Sequence, residues 1–387
     1  MSVSTVPTKP GKAKADKLNS YPFWSPRFWH GMRFRGYLDL MWRNRWRVHP
    51  LRWPMALGLL PITASNSVMY RLQQVIYGRR IAATEIKDPP IFIIGHWRSG
   101  TTYLHELMAC DDRLAYPSTY ECFVPHHFLV TGWYLPKMIW FLLPSKRPMD
   151  NMSAGFDRPQ EDEFAMCAMN APTPYFRMAF PNNPPPYHEL LEMADVDERD
   201  LNKFRASLEY FTKALTLSRN KRLMMKSPPH TGRIELLADM FPGARFIHIT
   251  RNPYAIFAST RRLWQALDAA QGFQIPKHEN LDEYILDCFE SMYRGFESQR
   301  PRVDPAQICD VKYEELVQDP VESVRSLYEK LNLGDFEHMR AKLEKYVLGL
   351  KGYQPNRHHL APDLVQRINA RWESFFERYG YEMDCDD

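Results

Sequence analysis

The chain has 387 residues, 44% of them hydrophobic and 25% charged, the balance of an ordinary globular protein. That excludes a disordered chain, a fibrous repeat and a disulfide-stapled miniprotein, and a net charge of +4 implies no partner by itself. The distribution says more: residues 1–80 carry fourteen Lys/Arg against two Asp, which is +12 and leaves −8 for the rest, and they hold five of the ten Trp.

Residues 1–20 read as a flexible basic tail with little to bury and without the apolar core of a signal peptide. Residues 21–88 read as a basic, Trp-rich helical extension. Three roles fit it: extra helices packed on the body, a membrane-surface segment, or a nucleic-acid arm. The first is favoured, and no groove-reading motif supports the last. The apolar stretches Trp53–Ala64 and Phe128–Pro144 are too short, or too interrupted by Pro136 and Lys137, to span a bilayer. The six cysteines show no C-x-x-C pair and read as reduced thiols, so the expected place is cytoplasmic, with a peripheral membrane contact left open.

After the breaker Asp88-Pro89-Pro90, residues 89–387 read as one catalytic unit. Ile91–Ile94 is a short apolar run suited to a buried parallel strand. A glycine-bounded loop and a helical pattern, Tyr103–Cys110, follow it. A short second βα step leads to Glu121. Asp200–Ser218 reads as helix, and the Pro-rich stretch Ala171–Tyr187 as a loop or lid. Arg222–Lys226, Ala244–Thr250 and Gln307–Lys312 are further strand candidates, trailed by helices at Arg233–Met240, Tyr254–Trp264 and Val321–Leu331. Strands alternating with helices predict an α/β, P-loop-like three-layer fold with a mainly parallel central sheet and helical additions.

Gly95-His96-Trp97-Arg98-Ser99-Gly100-Thr101-Thr102 opens like a Walker A loop. Such a turn aims backbone N–H groups at a helix N-terminus, where an anion is favoured. The hydroxyls of Ser99, Thr101 and Thr102 add donors. A nucleotide triphosphatase has Lys after the second glycine; here Thr101 stands there, and the cation is Arg98, inside the loop. Downstream, Arg251 ends a strand in Thr250-Arg251-Asn252-Pro253, and Ser259 follows eight residues later on a helix. An Arg at a strand end of an open sheet is well placed for a phosphate.

The segment IFIIGHWRSGTTYLHELM resembles the 5′-phosphosulfate loop of the sulfotransferase superfamily, in the Arg-type variant of its bacterial and protein-tyrosine branches. The Arg251/Ser259 pair resembles the family's 3′-phosphate element. The resemblance covers roughly residues 90–375. It implies 3′-phosphoadenosine 5′-phosphosulfate (PAPS) as co-substrate, held by Arg98, Ser99, Gly100, Thr101 and Thr102 at one end and by Arg251 and Ser259 at the other, with Tyr103 near the adenine. A weaker likeness places Leu350-Lys351-Gly352-Tyr353 over the 3′-phosphate. The implied activity is sulfuryl transfer to a hydroxyl or amine acceptor by in-line displacement.

That chemistry asks for a cation on the leaving phosphate and a base for the acceptor. Arg98 is the first candidate cation. Lys226, in Met225-Lys226-Ser227-Pro228, resembles a Lys-x-Pro element that assists transfer in the protein-tyrosine branch. Glu121 is the first candidate base by the same resemblance, with His126, His127, His230 and His96 as alternatives. Gln160-Glu161-Asp162-Glu163 has two readings: acids favoured in a first helical turn, or one carboxylate facing the acceptor pocket or pairing with an arginine. His358-His359 lacks further ligands at useful spacing, so no metal is expected. The acceptor class stays open among small molecules, lipids and carbohydrates, and no nucleic-acid partner is expected. The rival functions are a kinase or NTPase, which would need a loop Lys and a Walker B run, and a non-catalytic membrane-surface adaptor built on the basic arm.

Overall fold

The computed structural model describes residues 25–142, 155–349 and 360–384. The tail at 1–20, the segment Leu350-Lys351-Gly352-Tyr353, the pair His358-His359 and Cys385 lie outside those residues. Two helices come first, α1 (Phe34–Arg43) and α2 (Trp53–Ala82). The sheet then begins with β1 (Ile91–Ile94), followed by α3 (Thr101–Met108) and β2 (Leu114–Ala115). Short helices α4 (Thr119–Phe123), α5 (Phe128–Thr131), α6 (Leu135–Ile139) and α7 (Asp162–Ala168) lead to the long α8 (Glu198–Arg219). β3 (Arg222–Lys226), α9 (Ile234–Met240), β4 (Arg245–Thr250), α10 (Pro253–Gln271) and α11 (Leu281–Gln299) follow. The chain closes with β5 (Ile308–Lys312), α12 (Tyr313–Gln318), α13 (Pro320–Leu331), α14 (Glu337–Gly349) and α15 (Pro362–Tyr379).

The sheet runs β2-β3-β1-β4-β5, and every pairing in it is parallel. All four residues of β1 are fully buried, so both faces need apolar side chains and the run cannot alternate with polar ones. Ile91, Ile93, Met224, Ile247 and Ile249 pack on one side with Leu104 and Leu107 of α3 and Leu316, Val324 and Leu327 of α12 and α13. Phe92, Ile94, Met225 and Phe246 face the other side, toward α8, α10, α11 and α15. The expected α/β architecture is therefore present, with helices on both faces.

The same second core takes in the N-terminal helices. Trp29, Tyr37, Leu40, Ala56 and Leu59 belong to it. Phe28 stacks on Phe164 of α7 at 3.8 Å. Tyr37 donates to the Ala56 carbonyl (2.7 Å), which locks α1 to α2. No helix among the described residues is long and apolar enough to cross a membrane.

One local expectation fails in part. The Pro-rich stretch Ala171–Tyr187 is an outer loop only in its second half: Tyr175, Phe176, Met178 and Phe180 are buried in the core, whereas 181–187 is irregular and partly exposed. Its prolines break regular structure, but its aromatic residues between them carry too much apolar area to stay in water. The α10 helix also outruns its expected end at Trp264, and stops at Gly272.

Candidate functional site

The strand order explains where the site lies. From β1 the chain moves outward to β2 and returns to β3, on one side; β4 and β5 lie on the other. The switch falls between β1 and β4, and open parallel sheets bind ligands at the carboxyl ends of strands beside such a switch. The loop after β1 and the residue after β4 are thus neighbours by topology. Lys226 pairs in register with Ile93 of β1, so it ends at the same edge.

The loop is built to approach an anion closely. Gly100 caps α3 at φ +109°, and a Cβ there would lie 2.3 Å from Tyr313 Cδ2, so only glycine fits. Arg98 has φ +68°, a left-handed conformation that costs a non-glycine residue on the order of 1 kcal/mol. Amides in the first turn of α3 have no intrahelical acceptor. Thr101 is buried and Thr102 half-buried beside them. Ser99 Oγ is fully buried and has no hydrogen-bond partner among the described residues. A buried hydroxyl in that state suits a ligand oxygen.

The second anchor touches the first. Arg251 Nη1 donates to the Arg98 carbonyl (2.9 Å). Arg98 Nε in turn donates to Ser259 Oγ on α10 (2.9 Å). The Arg251 guanidinium lies over the Tyr313 ring, 4.3 Å from its centre, and Tyr103 meets the same ring edge-on at 6.5 Å. Burial and Tyr313 raise the Tyr103 hydroxyl to about 12, so it stays protonated. Cations and hydroxyls therefore converge at the N-terminus of α3, with the rings of Tyr313 and Tyr103 beside them.

Residues 89–338 match the sulfotransferase family model. The chain is 39% identical over 368 residues, 95% of each protein, to the omega-hydroxy-beta-dihydromenaquinone-9 sulfotransferase of Mycobacterium bovis. It belongs to the sulfotransferase family. Among solved structures its fold resembles a sulfotransferase from Mycobacterium avium, at 16% identity and a TM-score of 0.68, with 92% of this chain and 98% of that one covered. A Mycobacterium tuberculosis sulfotransferase gives a TM-score of 0.61, also at 16% identity, covering 91% and 94%. The kinase, NTPase and adaptor readings give way to an enzyme of sulfuryl transfer.

In this sulfotransferase the acid beside the loop is Glu161. Lys226 Nζ donates to Glu161 Oε1 (2.7 Å) and to Thr102 Oγ1 of the loop (3.3 Å). Tyr175 donates its hydroxyl to Glu161 Oε2 (2.5 Å) and accepts from Trp97 Nε1 (2.7 Å). Burial, then the Glu161 charge, hold the Tyr175 hydroxyl well above its usual range, so it remains a donor. The Lys226 side chain is 1% exposed and that of Glu161 12%.

The neighbouring acids face elsewhere. Asp162 pairs with His230 (2.7 Å) and accepts from Ser227 Oγ (3.0 Å). Burial raises its pKa, but His230 and Ser227 outweigh that and the net shift is downward. Glu163 forms a fully buried pair with Arg233 (2.9 Å) and accepts from Thr173 (2.6 Å). The acidic run thus serves three separate partners, and only its first member reaches the lysine bonded to the phosphate loop.

Glu121 sits differently from what the resemblance implied. Its Oε2 accepts from the amide and hydroxyl of Ser118 (2.8 and 2.7 Å), closing a capping box at the start of α4. Its Oε1 is paired with Arg219 (2.7 Å). Its hydrogen bonds and ion pair go to Ser118 and Arg219, not to the loop or Lys226. The alternative histidines are buried: His126 bonds the Ala168 carbonyl, and His127 bonds Thr131 and Asn66. Burial lowers both, to about 3 and about 4, and His96 to about 3. Of the residues the structure places around Lys226 and Arg251, the sequence reading gave no individual role to Glu161, Tyr175, Trp97 and Tyr313. Asp111, Asp112 and His338 bring ligand atoms together at the other end of α3, but there Asp112 is taken by His338 and Lys342.

Proposed function

We propose that the chain transfers the sulfuryl group of PAPS to the terminal hydroxyl of a long apolar lipid, a hydroxylated menaquinone by its relative's name. The observation that carries the donor assignment is the contact between the two anchors, Arg251 on the Arg98 carbonyl and Arg98 on Ser259. PAPS supplies the sulfuryl group on a good leaving phosphate. Ser99, Gly100, Thr101, Thr102 and Arg98 hold its 5′ side. Arg251 and Ser259 hold the 3′-phosphate, with Tyr103 and Tyr313 beside the base.

Lys226 is bonded to both Thr102 and Glu161, so it stands between the loop and an acid. In the reaction it donates to the departing 5′-phosphate oxygen, which neutralises charge where charge develops. Glu161 accepts the proton of the acceptor hydroxyl. The acceptor oxygen bonds to sulfur as the bond from sulfur to the phosphate oxygen breaks, and adenosine 3′,5′-bisphosphate leaves. Tyr175 and Trp97 fix the orientation of Glu161. Residues 89–387 supply this machinery, with 21–88 as an extension.

Calorimetric titration with adenosine 3′,5′-bisphosphate tests the donor half. Saturable binding that Arg251→Ala weakens is expected; no binding by folded protein at millimolar ligand removes the reading. Mass-spectrometric detection of a sulfated product from PAPS and an omega-hydroxylated menaquinone tests the acceptor half. Transfer to that lipid is expected, and transfer only to short polar alcohols contradicts it.

A further inference from the structure

The α2 helix carries apolar residues on both its inner and outer sides. Its buried stripe mixes Ala56, Leu59 and Ile81 with the polar residues Thr63, Asn66 and Gln73. Each is satisfied there. Asn66 donates to the His30 and Met32 carbonyls (2.6 and 3.0 Å). Gln73 donates to the Tyr210 hydroxyl of α8 (2.9 Å) and accepts from the Leu129 amide (3.0 Å). The stripe facing water is apolar: Leu57, Ile62, Val68, Leu72, Val75 and Ile76 are 40–84% exposed. From Leu57 to Ile76 this stripe runs about 30 Å at 1.5 Å per residue. An exposed apolar surface of that length marks an interaction site.

Charge selects the partner. Between Asp39 and Glu85 the chain has no acid and seven arginines. Arg71, Arg79 and Arg80 stand exposed on α2 itself, among or just beyond the apolar residues. The chain that passes under α2 at His127 and Leu129 then exposes Trp133 (75%) and Trp140 (71%). Tryptophan, arginine and an exposed aliphatic stripe without acids are the makeup of a helix lying in a lipid interface. A protein partner would not require the absence of every carboxylate.

We propose that the outer face of α2, with the Trp133–Phe141 segment, docks the enzyme on the surface of a membrane rich in anionic headgroups. The inference leans on the lipid-acceptor reading only for its purpose: an enzyme seated there takes a hydroxylated lipid from the bilayer without carrying it through water. The face itself is argued from α2.

The test is co-sedimentation of the full chain with vesicles of phosphatidylcholine alone or mixed with phosphatidylglycerol. Binding is expected to the mixed vesicles, weaker to phosphatidylcholine, and to fall as salt screens the arginines. Val68→Ser with Val75→Glu is expected to weaken it about tenfold or more, with unchanged circular dichroism and bisphosphate affinity. Arg71→Gln with Arg79→Gln is expected to remove the preference for the anionic lipid. No binding of the wild-type chain to mixed vesicles overturns the proposal, and so does equal binding by the Val68/Val75 variant. A wild-type dimer that the same variant splits into monomers, without vesicle binding, would assign the face to a second copy instead. Bisphosphate binding separates the failures: vesicles can fail while the donor site works, and docking can hold while lipid sulfation fails.

Discussion

The starts of α4 and α7 lie side by side and look alike in sequence. Each is a helix N-terminus with acidic residues, and the chain before one pairs with the chain before the other: Thr119 donates to the Arg158 carbonyl (2.8 Å) and Gln160 to the Pro117 carbonyl (2.9 Å). Yet Glu121 at α4 is closed off by its own capping box and by Arg219. Glu161 occupies the N-cap position of α7 but makes no side-chain cap hydrogen bond, and is held instead by a buried lysine at the phosphate loop. A carboxylate's role is set by who holds it. In the proposed mechanism the acid that satisfies its own helix is structural, whereas the acid held by the loop's lysine takes part in the reaction.

The sharpest way to break this contrast is Glu161→Gln, which should lower turnover by about 10²–10⁴, the usual worth of a general base, with bisphosphate affinity nearly unchanged by calorimetry. Lys226→Gln should cost about 10²–10³ in turnover, as for loss of one transition-state donor. It should also lower the melting temperature in calorimetric scans, because Glu161 is left nearly buried without its cation. Arg251→Ala should weaken bisphosphate binding by about tenfold to a hundredfold, the range for a hydrogen bond to a charged group. Glu121→Ala should behave in the opposite way to Glu161→Gln: turnover per folded molecule is kept, and chemical denaturation shows a loss of about 1 kcal/mol for the cap, with little more from the half-exposed Arg219.

The smallest effect concerns acid. The Asp162 carboxyl is held below its unfolded value by His230 and Ser227, which outweigh the opposing effect of burial. A depressed carboxyl contributes stability that is present above the unfolded pKa, near 4, and is lost as pH falls through the folded one. The unfolding free energy should therefore decline below about pH 4. Asp162→Asn should flatten that decline, as read by urea denaturation at several acid pH values.

The phosphate loop and the strands around it were legible because a short apolar run, a glycine turn and a helix are consecutive in the chain. Arg251 was legible for a related reason: strand ends at a switch point are local features that topology then brings together. Glu161 was not. It stood in a run of three acids that looks the same whether it faces water, a helix dipole or a cation. Its role depends on Lys226, 65 residues away in the chain. Tyr175 was hidden by its prolines, which read as a loop although the ring is buried. The outer face of α2 failed to stand out because apolar residues recur on both sides of the helix. Which of them face water depends on partners such as Tyr210, Leu129 and His30, contacts that no local window contains.

Single-turnover sulfuryl transfer, with PAPS prebound and the two glutamine variants Glu161→Gln and Glu121→Gln compared in one assay, tests the central assignment most directly. The account predicts that the transfer step slows by about a hundredfold or more in the first and stays within a few-fold of wild type in the second. Equal rates for wild type and Glu161→Gln, or a collapse confined to Glu121→Gln, would contradict it.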